Sequence, residues 1–214
     1  MLLFERERTD PRVVYYALYL CVLGLSFRSV SSALEPFESR SHSAVWQWVQ
    51  RYEPRRLYGV RRVEAFVVDE TYVKVGSSGA WVWIAVEPAH RYILGVHLSR
   101  HQNIMAARTF LRSLVERYGK HQVYSDGGAW YPDACRSLGL EHRLHSPYEK
   151  SLIERANEYL KDRVEAFDDR WPCLRDGCDL DHVRRWLGLF TDAHYARRRR
   201  MRFRQLTRYL GGAP

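Results

Sequence analysis

Residues 65–75 read AFVVDETYVKV, with Asp69 in the middle of a run that is otherwise mostly apolar and β-branched. Val and Tyr fit a pleated, half-buried surface, so the segment reads as a strand. Side chains alternate along a strand, so Asp69 and its neighbour Glu70 face opposite sides. A carboxylate inside such a strand is costly unless it is paired or bound to a cation. Asp69 is therefore the first candidate functional residue.

Downstream, WVWIAV at 81–86 is a second strand, reached through the turn residues Gly76, Ser77, Ser78 and Gly79. A third strand, 92–98, follows Pro88. Residues 103–118 form an amphipathic helix with Ala106, Phe110, Leu114 and Val115 inward. Then come a strand at 122–125, a short helix at 131–138, a short strand at 141–144 and a helix from 149 to about 164. The order β-β-β-α-β-α-β-α is that of an α/β, ribonuclease-H-like core: a mixed five-stranded sheet with flanking helices. Right-handed crossovers place the fourth strand beside the first, its carboxyl end near the middle of that strand.

Upstream the pattern is helical. Pro11 opens a helix to about residue 23 with Val14, Tyr15, Leu18 and Val22 at helical spacing, and Gly24 stops it. Ser26 caps a second helix carrying Val30, Ala33 and Leu34, which Pro36 ends. Ser41 or Ser43 caps a third helix reaching Tyr52, with Trp46, Gln47 and Gln50 outward. Three short helices with tight turns fit a helix-turn-helix module at 1–52, whose last helix enters a DNA major groove. Ser43, Trp46, Gln47, Gln50 and Arg51 are its candidate DNA contacts, Gln suiting adenine and Arg suiting phosphate. A plain three-helix bundle for dimer contacts has the same pattern.

Residues 53–62 (EPRRLYGVRR) hold Pro54, Gly59 and four arginines, and read as a basic linker in which Arg55 and Arg56 are further DNA contacts. The catalytic domain is expected over 63–195, ending in an amphipathic helix with Val183, Trp186, Leu187 and Phe190 inward. The tail, 196–214, starts ARRRRMRFRQLTR, with seven arginines in thirteen residues. Arg197, Arg198, Arg199 and Arg200 suit phosphate binding.

Composition fits a polyanion partner. Among 214 residues, Lys and Arg outnumber Asp and Glu by 34 to 25, a net charge of +9. With 46% hydrophobic residues a sizeable core is possible, and disorder is not the default. Four scattered cysteines do not make a disulfide framework, which points to a reducing cytoplasm. Cys173, Cys178 and His182 offer three zinc ligands without a fourth, and ordinary thiols are the simpler reading. No apolar run is long enough to span a membrane, and the stretch at 13–25 lacks the features of a signal peptide.

Two more carboxylates join Asp69. Asp126 ends the fourth strand at YSDGG, where two glycines allow close approach of backbone or substrate. Glu154 lies in SLIERANEYLKDR, beside the apolar stripe of Leu152 or Ile153, Ala156, Leu160 and Val164. Singly, each has a bland role: a buried ion pair, a turn cap, a solvated helix carboxylate. Jointly they suit phosphodiester chemistry. In-line attack puts negative charge on the attacking and leaving oxygens, and two Mg2+ ions roughly 4 Å apart can stabilise both. Mg2+ takes hard oxygen ligands, so three carboxylates on a sheet and a helix can hold such a pair. Lys161, seven residues after Glu154, lies two turns along the same face, within reach of a phosphate.

At these residues the chain resembles the DDE transposases of the insertion-sequence-six group, in their small archaeal form. The matching pieces are LSFRSVSSAL, SHSAVWQWVQRY, VVDETYVKV, WVWIAVEP, YSDGGAWYP and SLIERANEYLKDR, spread over roughly residues 10 to 195. The resemblance implies a helix-turn-helix that binds terminal inverted repeats and a catalytic triad of Asp69, Asp126 and Glu154, with Lys161 as the following basic residue. It implies Mg2+ (or Mn2+), two ions, as cofactor. It further implies hydrolysis that exposes a 3′-hydroxyl, then attack of that hydroxyl on target DNA. Asp126 and Glu154 are 28 positions apart, closer than in the commonest bacterial members, which leaves Glu149 and Glu158 as alternatives for the third acid. Expected partners are double-stranded DNA, as terminal repeats and target, and a second copy of the chain or more, because two ends must be held. The expected location is cytoplasmic, at the nucleoid. The competing readings are an inactive relative that only binds DNA and a nuclease of the same fold.

Overall fold

A computed structural model of the chain describes residues 9–52, 62–76, 78–164, 170–171 and 180–198. Its organising strand is β1 (Ala65–Val75), which pairs antiparallel with β2 (Ser78–Val86), as β2 does with β3 (Ile93–Ser99). On its other edge β1 pairs in parallel with β4 (Gln122–Ser125), and β4 with β5 (His142–Leu144). The order is therefore β3-β2-β1-β4-β5, the ribonuclease-H-like arrangement, with the first strand central.

A sixth strand was not foreseen. β6 (Arg170–Trp171) pairs in parallel with the far end of β1, at Lys74 and Val75. Two residues carry no periodicity to read. β2 also begins earlier than expected, because Val75 pairs directly with Ser78.

Helices α4 (Ile104–Tyr118) and α5 (Trp130–Leu138) pack on each other. They cover the sheet face that carries Phe66, Val68, Trp83, Ala85, Leu94 and Val123. Phe110, Leu111, Leu114, Ala134 and Cys135 close that core from the helix side. Asn103 caps α4, its side chain accepting from the N–H of Ala106 at 3.0 Å. Helix α6 (Pro147–Val164) buries Leu152, Ile153, Ala156 and Leu160. Through Asn157 it meets the opposite face of β1, at Asp69. These elements, with α6 counted to Lys161, form one unit of the chain.

The other unit is helical: α1 (Pro11–Val22), α2 (Phe27–Leu34), α3 (His42–Arg51) and α7 (Asp181–Arg198). Ser26 accepts from Ser29 N–H and Ser41 from Ala44 N–H, as the sequence allowed, and Asp10, not foreseen as a cap, accepts from Arg12 N–H. Of the two serines that could cap α3, Ser41 is the one used. Val14, Leu18, Val30, Leu34, Val45, Trp48 and Val49 are buried between these helices.

The boundary drawn at residue 195 does not coincide with this grouping. Helix α7, expected to end the catalytic domain, packs on α1 and α3. Its apolar stripe of Val183, Trp186, Leu187 and Phe190 is buried there, as expected for its inward face. The physical reason is specific. Tyr52, fully buried, donates to the buried Asp192 carboxylate, and Arg185 donates to the carbonyl of Gln50 at 2.6 Å. A carboxylate with no access to water needs such a donor. Tyr52→Phe is expected to destabilise the helical unit by about 2 kcal/mol, seen as a lower urea midpoint in the fluorescence of Trp48 and Trp186.

Candidate active site

The register of the sheet brings the first two acids together. Val67 pairs with Tyr124, and β4 ends one residue later at Ser125. Continuing that register by two residues sets Asp126 level with Asp69. From Val68 to Val73 no described strand continues along this edge of β1, until β6 takes it up at Lys74. Asp69 thus stands where the edge opens.

Local chemistry shapes the loop that carries Asp126. Its Oδ1 accepts from the N–H of Gly128 at 3.0 Å, and Gly127 has φ of 92°. A Cβ at Gly127 would come within 2.8 Å of Leu144, and one at Gly128 within 2.8 Å of the Trp130 ring. The positive φ favours glycine at 127, and a side chain at 128 would have to displace the Trp130 ring. The imidazole of His145 donates to the Tyr124 carbonyl at 3.1 Å, tying the segment before α6 to the end of β4.

Asp69 is half-buried, and its Oδ2 accepts from Nδ2 of Asn157 at 2.7 Å. Burial pushes its carboxyl up to about 7, repulsion from Glu70 and Asp126 adds to the rise, and a backbone bond and the Asn157 amide oppose it. Glu70, on the other face, is raised by burial; Tyr131 and Gln102 hold it down, while Asp126 pushes it further up. Asp126 itself is exposed.

Glu154 is not drawn into this pair. Its side chain is 55% exposed, with Lys150 at 4.0 Å. Among the described residues no group of three His, Cys, Asp or Glu side chains is arranged to hold a metal ion. Of the alternatives, Glu149 caps its own helix by accepting from the N–H of Ser146 at 2.9 Å, and Glu158 is exposed. The α6 residue that reaches Asp69 is Asn157, one turn beyond Glu154. Sequence reading missed it. The available signal was a polar residue inside the apolar stripe of Ile153, Ala156 and Leu160. Asn157 is 8% exposed, and its Oδ1 is buried with no hydrogen-bond partner among the described residues. An orphaned oxygen on the side chain that holds Asp69 is a hard donor that a cation, or its bound water, would satisfy. Lys161 is exposed, one turn past Asn157.

In the helical unit, Ser43, Trp46, Gln47 and Arg51 are exposed on α3, and Gln50 is half-buried. Arg197 and Arg198 are exposed at the end of α7. Arg55, Arg56, Arg199 and Arg200, most of the linker and tail, and Cys173 and Cys178 lie outside the described residues. No helix among the described residues is long and apolar enough to cross a membrane.

Comparison with known proteins adds to this geometry. A family model described as a DDE domain matches residues 63–184. An uncharacterized protein of Methanocaldococcus jannaschii is 32% identical over 194 residues, covering 88% of this chain and 87% of that one. The transposase for insertion sequence-like element IS431mec of Staphylococcus aureus is 27% identical over 177 residues, 77% of each chain. Among solved structures, the catalytic core domain of BIV integrase overlaps 58% of this chain and 81% of that one, at 19% identity and a TM-score of 0.42.

The raised Asp69 carboxyl has a consequence for the metal-free protein. A group that binds its proton more readily folded than unfolded favours the fold while protonated. Stability from this source falls as pH rises from about 4, the ordinary carboxyl value, to the folded value of about 7. In EDTA, the urea midpoint of the native protein should drop over this window relative to that of Asp69→Asn. A constant difference between the two would contradict the assignment.

Proposed function

Because the chain belongs to the DDE transposases of the insertion-sequence-six group, we propose that it cuts the ends of an insertion sequence and joins the exposed 3′-hydroxyl to target DNA. The juxtaposition of Asp69 and Asp126, at the point where β4 leaves the edge of β1, carries this reading.

Relatives of this kind use divalent cations, and the side chains fit that use. Asp69 and Asp126 supply hard anionic oxygens, and the free Oδ1 of Asn157 adds a neutral one. Glu154, exposed and one turn away, joins them by a change of side-chain rotamer. Two bound Mg2+ or Mn2+ ions would stabilise the charge that develops on the attacking and leaving oxygens. The remaining work belongs to the chain. Asn157 fixes the orientation of the Asp69 carboxylate. Burial, with repulsion from Glu70 and Asp126 added, raises the Asp69 carboxyl, so cation uptake there releases a proton near neutral pH. Lys161 offers its ammonium to a phosphate of the DNA on the same side of α6.

The exposed face of α3, with Ser43, Trp46, Gln47 and Arg51, and Gln50 beside it, is the surface proposed for reading the terminal repeats. Arg55, Arg56 and the run Arg197 to Arg200 supply phosphate contacts that carry no sequence information. Two copies or more are needed to hold two ends at once.

Incubation with Mn2+, a fragment bearing the terminal repeat and a plasmid should yield joined product. Asp69→Ala, Asp126→Ala and Glu154→Gln should each lower its yield by more than about a thousandfold, the loss of several kcal/mol of charge stabilisation. Binding of the fragment without cleavage would favour a DNA-binding relative, and degradation without joining would favour a nuclease.

A further inference from the structure

The carboxylate of Glu70 has no part in the chemistry above, and it is half-buried near two others of like charge. A neutral side chain of the same shape would avoid that repulsion. What the charge secures is visible in its contacts. Its Oε2 accepts from the hydroxyl of Tyr131, and its Oε1 accepts from Nε2 of Gln102 at 2.8 Å. Tyr131 is fully buried in the first turn of α5, its ring edge-on to Trp83 with centroids 5.9 Å apart. It cannot reach water, so its hydroxyl depends on Glu70.

Tyr131 also closes the loop that carries Asp126. Its N–H donates to the carbonyl of Gly128 at 3.0 Å. The N–H of Gly128 in turn donates to Oδ1 of Asp126 at 3.0 Å. Three hydrogen bonds thus run from Asp126 through Gly128 and Tyr131 to Glu70, which is joined by a peptide bond to Asp69. This path passes through the strand, from the face of β1 that bears Asp69 to the face that packs on α4 and α5.

We propose that Glu70 is a positioning residue. Acting through Tyr131 and Gly128, it fixes the Asp126 carboxylate against Asp69 and so sets the spacing of the cation site. Gln102, one residue before the cap of α4, holds the second carboxylate oxygen and keeps the strut from rotating. Charge-assisted bonds suit this role because they are short and strongly directional. The inference rests on the reading of Asp69 and Asp126 as cation ligands.

The test uses the full chain and Mn2+ alone, with affinity read from the electron paramagnetic resonance of free Mn2+. Asp69→Asn and Asp126→Asn establish the site itself, and each should abolish the tight binding. Tyr131→Phe breaks the chain of bonds, and the isosteric Glu70→Gln loses one of its two acceptor oxygens. Each should weaken Mn2+ about tenfold, the usual effect of removing a partner that orients a ligand. Hydrogen exchange supplies the second readout. The amide of Gly128 should exchange faster in both variants, while those of Val82 and Ile84 in β2 stay as slow as in the native protein. Native Mn2+ affinity in both variants, with both Asn variants impaired, would overturn the strut and leave the cation site standing. Exchange that accelerates equally across β2 would also overturn it, since that marks general destabilisation. Full Mn2+ binding by Asp126→Asn would overturn the cation reading, and the strut with it.

Discussion

Two carboxylates that repel each other, one half-buried and one exposed, are the constraint around which this protein is arranged. Asp69 and Asp126 come level because β4 runs parallel to β1 and stops at Ser125. Burial first, and then the like charges of Glu70 and Asp126, favour a proton on Asp69 when no cation is bound. A divalent cation resolves the conflict better than a proton, because it neutralises both groups at once. The donors around them are oriented accordingly. Asn157 approaches Asp69 from α6, and Gly128 approaches Asp126 from its own loop.

The fold makes this conflict tolerable. β1 is central, paired with β2 along nearly its whole length, so the strand that carries the strain is the best supported in the sheet. On its other edge the support is divided, β4 at one end and β6 at the other. The opening between them exposes the site without unpairing the core, which lies on the opposite face among Phe66, Val68, Trp83 and Phe110. The proposed catalytic carboxylate on such a supported strand moves little, which suits chemistry that depends on fixed charge.

Much of this was legible in the chain. The strand AFVVDETYVKV has one acidic pair to explain, and alternation alone separates Asp69 from Glu70. The hairpin, the crossovers, the cap at Ser26 and that at Ser41, one of two candidate serines, were readable as patterns in the chain. What escaped was long-range. Asn157 meets Asp69 across 88 residues, Tyr131 meets Glu70 across 61, and Tyr52 meets Asp192 across 140. No spacing rule links such pairs. Helix α7 shows the same limit: its apolar stripe was readable, but the surface it covers depends on a buried carboxylate that only the tertiary structure pairs. Glu154 illustrates a further one, since the position of a helix fixes where a side chain begins and leaves its exposed end free to choose a rotamer.

Anomalous scattering from Mn2+ in crystals of the protein tests the central claim most directly. The account predicts peaks at ordinary coordination distance, about 2.0 to 2.4 Å, from carboxylate oxygens of both Asp69 and Asp126, with Glu154 turned toward them. Ordered Mn2+ bound elsewhere, or to one of these aspartates without the other, would contradict it.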